Sequence, residues 1–322
     1  MAIQRFYELS EARLQVIEAG DPSDPLLMLA HGFPEGAYSW RHQIDYFATR
    51  GWHVLAPYQR GYGESSRPME VSEYTSEKLS RDLIELASIT GHEDMVLVGH
   101  DWGAIIGWDF LRKFPQHLRA YVGVSVPYIK WPMKPTELMK SQYGDRFFYM
   151  LYFQSVGPAE REMEADVRFA MQSTLWSACA EGFQSRKPYP KGLHYSDCGF
   201  LTLNPTPKPM PWSWLSDEDL NRYTEDFTKS GFFGPVSYYR NLDANYAWTS
   251  DVDPATIDVP IYFIGGEYDL TNVMDPNGIA RTTGIFPNAR GATVIPAIGH
   301  WTQQEDPVAF NNALEKFLRT LD

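Results

Sequence analysis

Cysteine is nearly absent: Cys179 and Cys198 are the only two among 322 residues. Two thiols are too few to build a metal cluster, and no histidine-rich spacing joins them. They read as reduced packing residues of a cytosolic protein. No run of about 18 apolar residues occurs, so the sequence predicts no transmembrane helix. Basic charge is scarce, with 28 Lys and Arg against 41 Asp and Glu and a net charge of -13. That balance excludes a nucleic-acid partner, which needs a basic stripe to meet the phosphate backbone. Internal repeats and low-complexity tracts are also missing. The first residues, Met1 to Glu8, lack the basic head and apolar stretch of a secretory signal. What remains is the composition of a soluble globular protein, 43% hydrophobic and 21% charged. The length fits one large catalytic domain with an insertion, or two ordinary domains.

The pattern along the chain favours the first arrangement. Short apolar runs at 14–18, 26–30, 53–56, 95–99 and 120–124 alternate with helical patterns. This predicts a mostly parallel sheet covered by helices. The turn Asp21-Pro22-Ser23-Asp24-Pro25 reads as a hairpin-like return between the first two runs, giving an antiparallel edge. One helix is expected over about 76–90, with Leu79, Leu83, Leu86 and Ala87 on one face and Gly91 at its stop. Another runs from about 103 to 113 and ends before Pro115. The alternation fails between about 128 and 250, where helical patterns surround a stretch holding Pro188, Pro190, Pro205, Pro207, Pro209 and Pro211. Much of the 15% aromatic content lies there, as plain core or as the lining of an apolar pocket. Ser216 is the expected N-cap of a helix whose first turn is Asp217, Glu218 and Asp219. Strand-like segments resume at 261–265 and 293–297, and a last helix starts at Asp306-Pro307. The expected organisation is a core of residues 1–127 and 251–322, interrupted by a mainly helical cap at 128–250.

The strongest chemical signal is Gly99-His100-Asp101-Trp102-Gly103. It follows an apolar strand and opens a helix, the setting of a nucleophile elbow with Asp in place of Ser. Serine suits acyl transfer. A carboxylate suits displacement at a saturated carbon, which leaves an ester for water to cleave. The bland alternative is a tight turn whose Asp caps the helix. Asp269 follows one later strand and His300 the next, in the order nucleophile, acid, histidine. His300 would take a proton from water while Asp269 fixes its tautomer. Glu267 and Asp275 remain rival orienters. His31-Gly32-Phe33-Pro34 follows the strand at 26–30. With the elbow, it suggests an oxyanion hole built from the backbone N–H groups of Phe33 and Trp102.

These residues resemble the soluble epoxide hydrolases of the α/β-hydrolase fold. The likeness runs from about residue 10 to 320, through HGFPE at 31–35, RGYGESSRP at 60–68, GHDWG at 99–103 and GHWTQQEDP at 299–307. The cap adds LYFQSVGPAE at 151–160 and GFFGPVSYYRN at 231–241. The resemblance implies an α/β fold with a mostly parallel eight-stranded sheet, flanked by helices and carrying an inserted helical cap. It also implies a cis Phe33–Pro34 peptide, two cap tyrosines on the epoxide oxygen (Tyr152 and Tyr239), and Glu35 as a holder of the hydrolytic water. A phenol pair makes chemical sense, because ring opening generates an alkoxide that needs a proton donor. Arg60 to Ser65 is assigned to loop structure, and His42, His53, His92, His117 and His194 to structural or surface roles.

The implied reaction converts an epoxide to a vicinal diol through an aspartyl ester. It needs no metal or organic cofactor, and its partners are a small apolar epoxide and water. The chain is expected to be cytoplasmic, without membrane insertion, and a monomer or homodimer. A dehalogenase of the same fold is the alternative enzyme; it would want halide-binding N–H groups in place of paired tyrosines. A pocket kept only for small-molecule binding is the non-enzymatic alternative, and it would usually have lost one of these groups.

Overall fold

The computed structural model describes residues 2–187, 194 and 198–321. Pro188 and Pro190 of the proline-rich stretch lie outside the described residues. Eight strands form one sheet: β1 (Ile3–Glu8), β2 (Arg13–Ala19), β3 (Leu26–Ala30), β4 (His53–Tyr58), β5 (Met95–His100), β6 (Leu118–Val124), β7 (Ile261–Gly266) and β8 (Ala289–Ile295). Their order is β1-β2-β4-β3-β5-β6-β7-β8. From β4 through β3 to β8 every neighbouring pair is parallel.

The antiparallel edge is present, but it differs from the expected hairpin. β2 pairs with β1 on one side and β4 on the other, not with β3. The turn at 21–25 therefore carries the chain past β4 instead of folding β3 back onto β2. β3 lies between β4 and β5, and all five of its residues are buried. The sequence signal missed β1 because five of its six residues are exposed, so it has no apolar alternation to read.

The central strands read as continuous apolar runs because both faces are covered. Successive side chains alternate between two clusters. Leu27, Leu29, Val96 and Val98 belong to one; Leu26, Met28, Ala30, Met95 and Leu97 belong to the other. Each of these leucine, valine and methionine side chains contributes about 1.5–3 kcal/mol by leaving water.

The helices before the insertion are α1 (Arg41–Ala48), α2 (Ser76–Ile89) and α3 (Trp102–Lys113). Thr75 caps α2 by accepting from the Lys78 N–H. Between β6 and β7 lie α4 (Pro135–Tyr143), α5 (Tyr149–Tyr152), α6 (Pro158–Glu164), α7 (Val167–Ala178) and α8 (Ala180–Gln184). They are followed by α9 (Asp217–Ser230), α10 (Phe233–Arg240) and α11 (Leu242–Thr249). Ser216 caps α9 in a reciprocal box with Asp219, as the sequence indicates. After β7 come α12 (Leu270–Met274) and α13 (Gly278–Ile285), and after β8 come α14 (Thr302–Glu305) and α15 (Pro307–Leu318). Asp306 caps α15 by accepting from the Ala309 N–H. The first cluster continues off the sheet into the insertion through Phe153, Met171, Leu175, Trp176, Phe227 and Tyr238. The inserted helices therefore share one apolar core with the sheet. Among the described residues no helix is long and apolar enough to cross a membrane. Cys179 and Cys198 are not joined to each other.

Candidate active site

The elbow forms where β5 runs into α3. Close approach of backbones requires its two glycines. A Cβ on Gly99 would lie 2.2 Å from the Gly103 carbonyl oxygen, and one on Gly103 would lie 2.1 Å from the Ala30 carbonyl oxygen. Between them Asp101 adopts φ 52°, an uncommon conformation for a residue with a side chain. The carboxylate does not cap α3. The Phe33 N–H instead donates to Asp101 Oδ1 at 2.7 Å, and Oδ2 lies 3.4 Å from His300 Nε2. This removes the reading of Asp101 as a mere helix cap.

The Phe33 amide is aimed by the loop after β3, where the Phe33–Pro34 peptide is cis. Trp102 is the first residue of α3, so its N–H has no intrahelical acceptor. Two amides of the type an oxyanion needs thus flank Asp101, one of which already holds Oδ1.

His300 follows β8 and sits beside Asp269, which follows β7. His300 Nδ1 lies 3.0 and 3.1 Å from the two oxygens of Asp269, a fully buried carboxylate. Asp269 also accepts from the Thr271 N–H at 2.9 Å, so its orientation is set by the start of α12. Burial by itself would raise the Asp269 carboxyl, but His300 and the Thr271 donors hold it below its ordinary value. Burial would likewise lower the His300 imidazole, but the charge of Asp269 and the contact with Asp101 hold it well above. The rivals are engaged elsewhere: Glu267 accepts from the Ala297 N–H at 2.9 Å, and Asp275 pairs with Arg281.

A cavity of about 540 Å³ opens over this group. Asp101, His300 and Phe33 line it, with Tyr149, Phe200 and Tyr239 from the insertion and Trp301 from the core. Tyr239 on α10 is buried and packs edge-on against Phe33 (5.5 Å between ring centroids) and Trp102 (4.9 Å). Burial and the nearby Asp101 charge push its phenol well above the usual value, which keeps it protonated.

Tyr152 requires a correction. It is not among the cavity-lining residues, and its hydroxyl donates to Glu162 Oε2 at 3.1 Å. Glu162 is itself fixed by the N–H groups of Phe200 and Leu201, so the phenol is drawn away to an anchored carboxylate. Tyr149, three residues earlier on α5, lines the cavity instead, with its ring centroid 5.9 Å from that of Tyr239. The matched motif begins at residue 151, just past Tyr149, so the resemblance carried the role onto Tyr152 and not onto the tyrosine that lines the cavity.

Glu35 also departs from expectation. It is buried, and it does not line the cavity where the hydrolytic water would stand. It accepts from the Gly32 N–H (3.1 Å), Gln303 Nε2 (3.0 Å) and Gln304 Nε2 (2.8 Å), and lies 2.6 Å from His100 Nδ1. Burial pushes its carboxyl up, while His100 and the Gly32 N–H outweigh that and hold it low. His100 Nε2 in turn lies 2.8 Å from the His300 carbonyl oxygen. Glu35 thus touches the site through His100, a residue visible in the GHDWG motif to which the spacing assigned no role.

Residues assigned to structure behave accordingly. Arg60 is buried in an ion pair with Asp82, and His53 bridges Glu18 and His92. No group of three or more potential metal ligands occurs among the described residues.

Comparison with known proteins places the chain in a family. Residues 25–153 match the alpha/beta hydrolase fold family. The chain is 39% identical over 320 residues to epoxide hydrolase A of Mycobacterium tuberculosis, covering 99% of this chain and 98% of that protein. It is 35% identical to epoxide hydrolase 3 of Siraitia grosvenorii, over 91% of this chain and 92% of that protein. The crystal structure of epoxide hydrolase A from Mycobacterium thermoresistibile superposes with a TM-score of 0.90 at 38% identity, covering 99% of this chain and 98% of that one. That of an epoxide hydrolase from an endophytic Streptomyces gives 0.88 at 32% identity, covering 99% and 96%. The elbow aspartate, the buried Asp269–His300 pair and full-length likeness to such proteins lead to one assignment: this chain belongs to the epoxide hydrolases of the α/β-hydrolase fold.

Proposed function

We propose that this protein hydrolyses epoxides to vicinal diols through a covalent ester on Asp101. The observation that carries the reading is the division of labour between the two oxygens of Asp101: one held by the Phe33 N–H, the other facing His300 beneath a cavity whose lining includes Tyr149 and Tyr239.

In the first step Asp101 Oδ2 bonds to a ring carbon and that carbon's bond to the epoxide oxygen breaks. The departing oxygen takes a proton from Tyr149 or Tyr239, since a phenol can donate a hydrogen bond and then a proton to the nascent alkoxide. In the second step water attacks the Asp101 carbonyl carbon while His300 Nε2 takes its proton. Negative charge gathers on Oδ1, where the Phe33 and Trp102 amides meet it. Collapse expels the diol as an alkoxide, which takes the proton from His300; the second proton of the water, left on the regenerated Asp101 carboxyl, returns to the tyrosinate, so that aspartate, histidine and tyrosine are all reset. Asp269 holds the proton of His300 on Nδ1 and so presents Nε2 as the base. Glu35 acts on this step through His100, which steadies the His300 backbone. The segment 128–250 serves as the cap that supplies the acid and closes the apolar pocket. Paired tyrosines favour this reading over dehalogenation, since a halide leaves as a stable anion and needs no acid.

The test is a single turnover in heavy-oxygen water with enzyme in excess over styrene oxide. The first diol should be unlabelled, and the label should appear in the peptide containing Asp101. Label in the first diol would mean water opened the ring directly.

A further inference from the structure

The carboxylate of Glu305, at the end of α14, lies among three backbone N–H groups. Gly299 and Trp301, the neighbours of His300 on either side, donate to Oε2 at 3.0 Å and Oε1 at 3.1 Å. The third donor is the Ala180 N–H of the insertion, 3.0 Å from Oε2. Two more bonds join the same segments: the His300 N–H donates to the Ala178 carbonyl at 3.0 Å, and Trp301 Nε1 donates to the Leu175 carbonyl at 2.6 Å. Among the described residues no lysine or arginine pairs with Glu305. Its hydrogen-bond donors among these residues are peptide N–H groups.

We propose that Glu305 is a positioning residue for ester hydrolysis, clamping the backbone on both sides of His300 to the cap at Ala180. The proposal rests on the reading of His300 as the base. Asp269 orients the imidazole about Nδ1, but the place of the ring depends on where the loop 299–301 is held. Three converging donors demand an acceptor-only group, which a carboxylate is and an amide is not. In Glu305→Gln one end of the side chain would present N–H to N–H, and the clamp would open at a point adjoining the base. Burial outweighs the three N–H groups and leaves the Glu305 carboxyl raised to about 7, so the group is fully acceptor-only above that pH, where the experiment is run.

Alkylation of Asp101 does not use the base, whereas ester hydrolysis does, so the two steps separate a positioning role from general damage. With enzyme in excess over styrene oxide, quenched samples are weighed by intact mass to follow the ester on Asp101. In Glu305→Gln the ester should decay about 10- to 100-fold more slowly than in the native enzyme, the scale of a displaced reacting group. Its appearance should change by less than about threefold. Glu305→Asp keeps an acceptor-only group and should fall between the two, which also serves if the Gln variant does not fold. Equal slowing of both steps, or decay at the native rate, overturns the proposal. A native enzyme that forms no ester overturns the reaction reading and the clamp together, whereas native ester with normal decay in the variants overturns the clamp alone.

Discussion

Replacing Asp269 by Asn probes the assignment of the base most directly. The carboxylate is fully buried and lies 3.0 Å from His300 Nδ1. At that separation, with an effective dielectric of about 20, its attraction for an imidazolium is roughly 5 kcal/mol. Asn removes the charge while retaining an oxygen for the Thr271 N–H. It also turns an amide N–H toward Nδ1, which favours the tautomer with the proton on Nε2, where the base needs a lone pair. Loss of roughly 5 kcal/mol from the charged transition state corresponds to about 10⁴ in rate, the scale seen when a triad loses its orienting carboxylate. Ester formation needs no base and should stay within about tenfold of the native rate. The assay is a rapid-quench single turnover with excess enzyme. The ester should appear promptly and persist. Decay within tenfold of the native rate would refute the reasoning and return the choice to Glu267 or Asp275, whose present partners argue against them. Glu267→Gln, at a side chain that accepts from the Ala297 N–H and not from His300, is the matched control and should decay normally.

Other perturbations address the remaining parts of the site. Tyr149→Phe and Tyr239→Phe should each slow ester formation by about 10²–10⁴, the range for a lost general acid. Tyr152→Phe should stay within about threefold in the same experiment; the opposite pattern would restore Tyr152 to the site. In Gly32→Ala the new Cβ would lie 2.3 Å from Asp101 Cβ and 2.5 Å from Oδ1. Displacement of the nucleophile should cut ester formation by about 100-fold, and near-native formation would contradict the tight fit. Because the Asp101 charge helps raise the His300 imidazole, Asp101→Asn should lower its pKa, measured by following the ring protons by NMR against pH. The sign for stability follows: a raised histidine stabilises the fold fully below its unfolded value near 6.5, and that contribution is lost as pH rises through the folded value. The native protein's melting advantage over Asp101→Asn should therefore shrink on going from pH 6 to pH 9. An advantage that grows would reverse the sign.

Local signals in the sequence already determined several features. The two glycines of the elbow, the Ser216 and Asp306 caps, and the uninterrupted apolar runs of β3 and β5 are written in residues a few positions apart. Their physics is local: close backbone approach, an N–H needing an acceptor, and strands buried on both faces. The order of Asp101, Asp269 and His300 was legible for the same reason, since each follows its own strand to the same end of the sheet. The exposed edge strand β1 left no apolar pattern, and the pairing of β2 with β4 is invisible in a turn that only says the chain reverses. Which phenol enters the cavity depended on Glu162, fixed by the N–H groups of Phe200 and Leu201 about 40 residues away. Glu35, His100 and Glu305 carry ordinary loop, strand-end and helix-end signals, and their partners come from segments as far as 269 residues off. Periodicity and capping act over a few residues, so the sequence alone reveals the elements and the reactive groups they carry. Contacts between distant segments form only when the sheet and its insertion close together, and they decide which of those groups meet.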